Sequence, residues 1–236
     1  MPSQASSAKN YRRLDTRTIG ITVTNIDRTI RAVLNEGLIA VVPGDFPAGK
    51  LLEIGDALLA APLLVMEITV NSSGALDAVE LLRARFGDDM LIGAGSVDNA
   101  DQFDQAVDAG AQYTASQVFD IATLEHSLQR DLLHMPGVMS STEVDVACRA
   151  DCKMVRLLTP TWHGHGSLTG LCERMGGLLF VPSRDIGLDD IDEYARAGAA
   201  AIALDTDLVT EPSQSMDDLI TRARRYRAAW QTAPSQ

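Results

Sequence analysis

The sequence predicts a closed (β/α)8 barrel of the α/β class, with one additional helix near residues 25–35 before the first strand. Three observations lead to this prediction: eight short apolar runs, amphipathic stretches of helical period between them, and even spacing along the 236 residues. Eight strand–helix units in one domain of this length are typical of a (β/α)8 barrel. A doubly wound open sheet is the main alternative, and the count of eight favours the barrel.

The predicted strands are continuously apolar, as expected of parallel strands that are buried on both faces. Several follow a helix end and a small residue, as in Asn35-Glu36-Gly37 before LIAVVP and Arg196-Ala197-Gly198 before AAAIAL. Glycine just past a helix supplies the left-handed conformation that ends it. The eight runs lie at about residues 38–43, 63–70, 89–93, 111–116, 131–135, 153–158, 178–182 and 199–204.

The helical stretches lie between these runs and carry apolar residues on one face, as at Leu51, Ile54 and Leu58. The last stretch extends from about Met216 to Trp230. We therefore expect one barrel domain over residues 19–231, a polar and flexible tail over residues 1–18, and a short tail over 232–236.

Composition excludes several classes of function. The formal net charge of −12 argues against nucleic acid and anionic membranes as partners. No run approaches the roughly 18 apolar residues that a membrane helix needs, and the N-terminus has no apolar signal-peptide region. Three cysteines, an odd number, favour a reducing cytoplasm over a disulfide framework.

Candidate functional residues lie where the predicted strands end, because the active sites of (β/α)8 barrels form at the carboxyl ends of the strands. The second strand ends in the segment VMEITV, the third in IGAGSV, the fifth in MPG and the seventh in FVPSRD. The sixth strand, KMVRLL, carries a basic residue within an apolar run. The candidate catalytic residues are Glu67 and Arg156, and the candidate substrate-binding residues are Ser96, Ser116, Pro136, Ser183 and Arg184.

Taken together, Glu67 in its EIT context, the GAGSV turn and the PGV…TEV segment resemble the 2-keto-3-deoxy-6-phosphogluconate / 4-hydroxy-2-oxoglutarate aldolase family over about residues 25–210. The resemblance implies a homotrimer of barrels that cleaves a 2-keto acid to pyruvate and an aldehyde through a lysine imine. It assigns proton relay to Glu67 and a pocket-lining position to Ser96, where the family has threonine. Pro136 and Gly137 match the turn after the fifth strand. The family pattern requires no cofactor.

Several positions depart from that pattern. Arg156 stands where the family has its imine lysine, and a guanidinium stays protonated and is a poor nucleophile. Arg184-Asp185 replaces a glycine pair of the phosphate site, and the loop after the eighth strand reads Asp205-Thr206-Asp207. Carboxylates there oppose a phosphate by like charge, which Arg184 offsets in part. The departures predict a small keto acid that is not phosphorylated.

Only three lysines are present: Lys9, Lys50 and Lys153. Lys153 lies three residues before Arg156, so alternation along the strand directs the two side chains to opposite faces. Lys50 is expected to be an exposed helix lysine, and Lys9 lies in the tail. None of the three is a suitable replacement for the imine lysine.

Two further interpretations stay open. Arg156 either binds the keto-acid carboxylate or enolate oxygen, or forms a structural ion pair with Glu67. The predicted loop after the sixth strand carries His163 and His165, which could act as general acid and base, bind a divalent metal together with Glu67 or Asp185, or only form hydrogen bonds.

We therefore predict a cytoplasmic carbon–carbon lyase that acts on a small 2-keto acid by pyruvate-forming aldol cleavage or decarboxylation. The alternative is a non-catalytic aldolase-like protein that binds a ligand or serves in an assembly.

Overall fold

The computed structural model describes residues 23–158 and 164–233 (for 164–167, the backbone only), and in them parallel strands alternate with helices around a barrel. The strands are β1 Leu38–Pro43, β2 Val65–Thr69, β3 Leu91–Gly95, β4 Thr114–Ala115, β5 His134–Met135, β6 Gly137–Val138, β7 Met154–Leu158, β8 Leu179–Ser183 and β9 Ile202–Leu204. The α-helices are α1 Asn25–Glu36, α2 Ala48–Ala60, α3 Ala75–Phe86, α4 Ala100–Asp108, α5 Ile121–Gln129, α6 Ser141–Arg149, α7 Gly164–Arg174, α8 Ile191–Arg196 and α9 Met216–Thr232.

The strands form one parallel sheet in the order β5-β4-β3-β2-β1-β9-β8-β7-β6. Its two ends, β5 and β6, are consecutive in the chain and flank Pro136, so the sheet closes on itself at one interrupted strand. Proline has no N–H group to donate to a neighbouring strand, which accounts for the interruption. The predicted (β/α)8 barrel is confirmed, with its fifth strand in two pieces.

Side chains alternate between the barrel interior and the layer beneath the helices, because successive residues of a strand point to opposite faces. One buried cluster lies in the interior and includes Ile39, Val65, Met154 and Val181. The other lies between sheet and helices and includes Leu38, Met66, Val155 and Phe180. Each of the strands with three or more residues contributes to both clusters, which explains why these runs are apolar without interruption.

Helix α1 confirms the additional helix predicted before the first strand. Thr24 begins it with a reciprocal capping box to Asp27, and Gly37 ends it at φ 74°. Its residues Ile30 and Leu34 are fully buried and belong to the interior cluster, together with residues at the amino-terminal ends of the strands. The helix therefore closes the end of the barrel opposite the strand carboxyl ends.

Some boundaries differ from the prediction. Strand β3 begins at residue 91 instead of 89, because Gly87 ends α3 and the Asp89 N–H donates to the Phe86 carbonyl in a turn. Helix α9 continues to Thr232, past the expected end of the domain. The tail predicted over residues 1–18 lies outside the described residues. In the parts of the chain that the structure describes, no helix has the length and apolar composition needed to cross a membrane.

Candidate active site

A small pocket of about 50 Å³ lies at the carboxyl ends of the strands. Interior-facing residues near the ends of β1, β2, β7 and β8 form its inner part, and residues that follow β3, β4, β8 and β9 form its rim. The pocket is lined by Val41, Glu67, Thr69, Ser96, Ala115, Ser116, Gln117, Arg156, Leu158, Ser183, Arg184 and Asp205. This is the position at which barrel enzymes carry out their chemistry.

Glu67 and Arg156 form a buried ion pair inside the barrel. The Arg156 Nη2 group donates to Glu67 Oε2, and each side chain is only 4% exposed. Arg156 Nη1 lies 3.4 Å from the Ser183 hydroxyl, and Arg156 Nε is buried with no hydrogen-bond partner among the described atoms. The guanidinium therefore keeps donor capacity beyond its contact with Glu67.

Glycine at position 95 makes room for the Glu67 carboxylate. Gly95 is the last residue of β3, adjacent to β2, and a Cβ atom there would collide with Glu67 Oε1. Packing within the site therefore requires glycine at the last position of the GAG segment. Any larger residue at Gly95 would displace the carboxylate.

Tyr113 is a further member of the interior that sequence analysis did not single out. It is fully buried, and its hydroxyl lies 3.4 Å from the Met66 carbonyl. Burial raises the pKa of the Tyr113 phenol well above its ordinary value, and the negative charge of the Glu67 carboxylate raises this pKa further. The AQYTAS run predicted a strand, and a polar atom at an interior-facing position was the signal that could have identified this residue.

Two loops meet at the rim of the pocket. Arg184, after β8, donates to the Gln117 side-chain oxygen, after β4. Arg184 and Asp185 have φ values of 76° and 50°, and Ser96 has 60°. A left-handed conformation costs a residue other than glycine about 1–2 kcal/mol. The backbone after β8 thus keeps a conformation suited to glycine, while its side chains are charged.

Carboxylates gather beside Arg184. Asp205 lines the pocket. The pKa of Asp207 is raised by burial first, and then by the negative charges of Asp205, Asp185 and Asp190. Asp185 and Asp205, which sequence analysis placed at this end of the barrel, are therefore close enough to Asp207 to act on it electrostatically.

The structure brings six of the seven strand-end candidates to one pocket: Glu67, Ser96, Ser116, Arg156, Ser183 and Arg184. Pro136 is not among the lining residues of this pocket, and its role in substrate binding stays a prediction. Pro136 interrupts the fifth strand, and its carbonyl accepts the Arg156 N–H at 3.0 Å. Ser116 lines the pocket while its hydroxyl donates to the Val118 carbonyl at 2.6 Å.

Neither described lysine lines the pocket. Lys50 Nζ donates to the Gln214 carbonyl at 2.8 Å, so this lysine is half-buried and not exposed as predicted. Lys153 Nζ contacts Asp151 at 2.5 Å on the outer side of the barrel, as the alternation along the strand predicts.

The predicted histidine loop lies partly within a helix. His163 lies outside the described residues, and His165 lies in the first turn of α7, so that position is helical and not part of a loop. Within residues 23–158 and 164–233, no three histidine, cysteine or carboxylate side chains are grouped as metal ligands. The side chains of both histidines lie outside this search, so a metal site in this segment stays a prediction.

Comparison with known proteins gives a family match over most of the chain. Residues 30–221 match the family model described as KDPG and KHG aldolase. The 2-dehydro-3-deoxy-phosphogluconate aldolase of Treponema pallidum (strain Nichols) is 30% identical over 139 residues, which is 58% of this chain and 66% of that protein. The chain thus spans just under two thirds of that relative's length. A probable 2-dehydro-3-deoxy-6-phosphogalactonate aldolase of Rhizobium meliloti (strain 1021) is 25% identical over 87% of this chain and 96% of the relative.

Solved structures support the fold. The 2-keto-3-deoxy-6-phosphogluconate aldolase of Zymomonas mobilis ATCC 29191 superposes with a TM-score of 0.77 at 20% identity, covering 84% of this chain and 96% of that one. A cube-shaped protein cage designed by fusing symmetric oligomeric domains contains a chain with a TM-score of 0.78 at 21% identity, covering 84% of this chain and 73% of that one. At these identities the likeness concerns the barrel alone.

Proposed function

Because the chain belongs to the KDPG and KHG aldolase family, we propose that it is a carbon–carbon lyase that acts on a small, non-phosphorylated 2-keto acid without a lysine imine. The observation that carries this proposal is the buried Glu67–Arg156 pair in a pocket that neither described lysine lines. The reaction is aldol cleavage that releases pyruvate, or decarboxylation of a related keto acid.

Arg156 holds the anion in this proposal. A guanidinium has five N–H donors in a planar fork, and Arg156 uses one on Glu67 and a long contact on Ser183. The remaining donors suit the carboxylate of a keto acid or the oxygen of an enolate. Fixed donors in a site with little water stabilise the negative charge that develops as the carbon–carbon bond breaks.

Glu67 moves the proton. Its carboxylate removes the proton from the substrate hydroxyl, the adjacent carbon–carbon bond breaks, and the aldehyde leaves. The bonding electrons pass to the keto-acid fragment as an enolate whose oxygen Arg156 holds. Glu67 then returns the proton to the enolate carbon, which completes pyruvate and restores the carboxylate.

The rim favours a substrate without a phosphate group. Asp205 lines the pocket, and Asp185 and Asp207 lie close enough to it for their charges to interact. Two cations lie near this end: Arg184 donates to the Gln117 side chain, and Arg222 contacts the Asp207 carbonyl and lowers the pKa of Asp207. A phosphate would meet this group of negative charges, whereas a short uncharged aldehyde fragment would not.

We further propose that the protein is a homotrimer in the cytoplasm. The surface carries three exposed apolar residues on two neighbouring segments: Val118 is 46% exposed, Ile121 37% and Met139 60%. The Gly137 N–H donates to the Val118 carbonyl, which brings the two segments together. Such a patch suits contact with a second copy. The resemblance to homotrimeric aldolases supports three copies, and the free cysteines fit a reducing compartment.

The test is exchange of the pyruvate methyl hydrogens for deuterium, followed by proton NMR. We expect wild-type protein to catalyse exchange, Glu67→Gln to abolish it, and EDTA to leave it unchanged. Treatment with pyruvate and borohydride should leave no adduct on the wild-type chain. An adduct on Lys50 or Lys153 would refute the imine-free route, and loss of exchange with EDTA would indicate a metal.

A non-catalytic role as a ligand-binding or assembly protein is the second candidate. It is favoured by one observation: Glu67 and Arg156 already satisfy each other, so the pair can be purely structural. Absence of exchange with every keto acid tested would support this role over catalysis.

A further inference from the structure

We infer that Tyr113 is a positioning residue for Glu67, holding the carboxylate toward the pocket by a hydrogen bond from its phenol. The inference rests on the proposed role of Glu67 as the proton carrier. Arg156 and Tyr113 would then fix the carboxylate together, one through charge and the other through a neutral donor.

The strand register explains how Tyr113 reaches Glu67 from two strands away. Glu67 of β2 pairs with Gly93 of β3, and Ala94 pairs with Thr114 of β4, so Glu67, Gly93 and Tyr113 lie at one level of the barrel. A Cβ atom at Gly93 would collide with the Tyr113 ring. The missing side chain therefore lets the ring cross β3 toward Glu67.

The phenol hydroxyl needs an acceptor at this position. Tyr113 is fully buried, and it belongs to an interior cluster of apolar side chains that includes Leu133, Met135 and Met154. Burying a hydroxyl without a hydrogen bond is unfavourable. The 3.4 Å separation from the Met66 carbonyl is long beside the usual distance of about 2.7–2.8 Å, so that contact is a weak substitute. The Glu67 carboxylate is the stronger acceptor.

A ring alone would satisfy the packing, so the hydroxyl is the feature to test. In Tyr113→Phe the ring remains and the hydroxyl is lost, together with its long contact to the Met66 carbonyl and the inferred hydrogen bond to the carboxylate. We expect kcat for pyruvate exchange to fall about tenfold or more with KM nearly unchanged, because a hydrogen bond to a charged group has this size and orients only the proton carrier. Tyr226→Phe, which removes a phenol from a buried position on α9, is the matched control and should retain full activity.

A second measurement does not depend on activity. Tyr113→Phe is introduced into wild-type protein and into Glu67→Met, and urea unfolding is measured for all four proteins. We expect the folding equilibrium constant to fall about tenfold in the first background and less than twofold in the second, since the acceptor is already absent there. Equal losses in the two backgrounds would overturn the inference.

The outcomes separate the inference from the proposed function. Wild-type exchange together with full activity of Tyr113→Phe would refute the positioning role and leave the lyase proposal standing. Absence of wild-type exchange would refute the lyase proposal, and the unfolding cycle would still decide whether Tyr113 holds Glu67.

Discussion

Removing either member of the Glu67–Arg156 pair should destabilise the barrel, whereas removing both should not. Both side chains are 4% exposed, so each charge is compensated only by its neighbours in the interior. Arg156→Met leaves the carboxylate buried without its counter-charge, and Glu67→Met leaves the guanidinium in the same condition. Breaking a buried pair in this way costs about 3–5 kcal/mol, against a total stability of about 5–15 kcal/mol for a typical domain.

The double variant Glu67→Met/Arg156→Met replaces the pair by apolar side chains of similar length. Its stability should equal that of the wild type or exceed it by about 1–4 kcal/mol, because the desolvation penalty of both ions is removed. The Arg149–Asp145 pair on α6 is the matched control. Arg149 is 79% exposed there, so Arg149→Met should change stability by less than about 1 kcal/mol.

The assay is urea unfolding followed by far-ultraviolet circular dichroism at neutral pH, with linear extrapolation to water. Protein concentration is held constant, because an oligomer gains stability with concentration. A loss below about 1 kcal/mol for Arg156→Met would show that the guanidinium is solvated, and the described geometry of the pocket would then be wrong.

Three further changes test other parts of the site and the fold. Arg156→Lys should form an adduct with pyruvate that borohydride traps, because an amine, unlike a guanidinium, can lose its proton and attack the keto carbon. Absence of the adduct would mean that the pocket does not bind a keto acid beside this position. Gly95→Ala should lower the exchange rate about 100-fold, because its methyl group displaces the Glu67 carboxylate. Gly49→Ala is the control and should leave the rate unchanged, because the added methyl group meets no atom. Equal exchange rates for the two variants would refute the close packing of Gly95 against Glu67. Burial lowers the pKa of His134 from 6.5 to about 4, so the folded state favours the neutral ring and its stabilising effect is complete above pH 6.5. As the pH falls from 6.5 to 4, the wild type should lose about 3 kcal/mol of its free energy of unfolding. The urea midpoint of His134→Gln should change less with pH over this range than that of the wild type. Identical pH dependence of the two midpoints would show that His134 is not the titrating group.

The barrel was predictable because its repeat is encoded locally. Each strand is a continuous apolar run, and the residues that end helices could be identified one unit at a time, as at Gly37 and Gly198, whose φ values are 74° and 99°. Boundaries were less certain where two short-range signals overlapped. The apolar run at residues 89–93 begins inside the turn that follows α3, so β3 starts two residues later.

The candidate site was predictable in part. The strand-end rule brought Glu67 and Arg156 to one pocket, and alternation along the sixth predicted strand directed Lys153 to the outer face. It could not identify Thr69 or Gln117 as lining residues, because their side chains carry no distinctive chemistry in the sequence. The interruption of the fifth strand at Pro136 was not predicted, because a strand interruption and a loop look alike along the chain.

The sequence by itself determined which segments are apolar, the number of strand–helix units and the charged residue types at the strand ends, because hydrophobic period and residue type are properties of single segments. Only the tertiary structure decided that Glu67, Gly93 and Tyr113 share one level, and that Arg184 meets Gln117 across the rim. Those contacts depend on the register between strands and on closure of the sheet, which arise when the whole ring packs together.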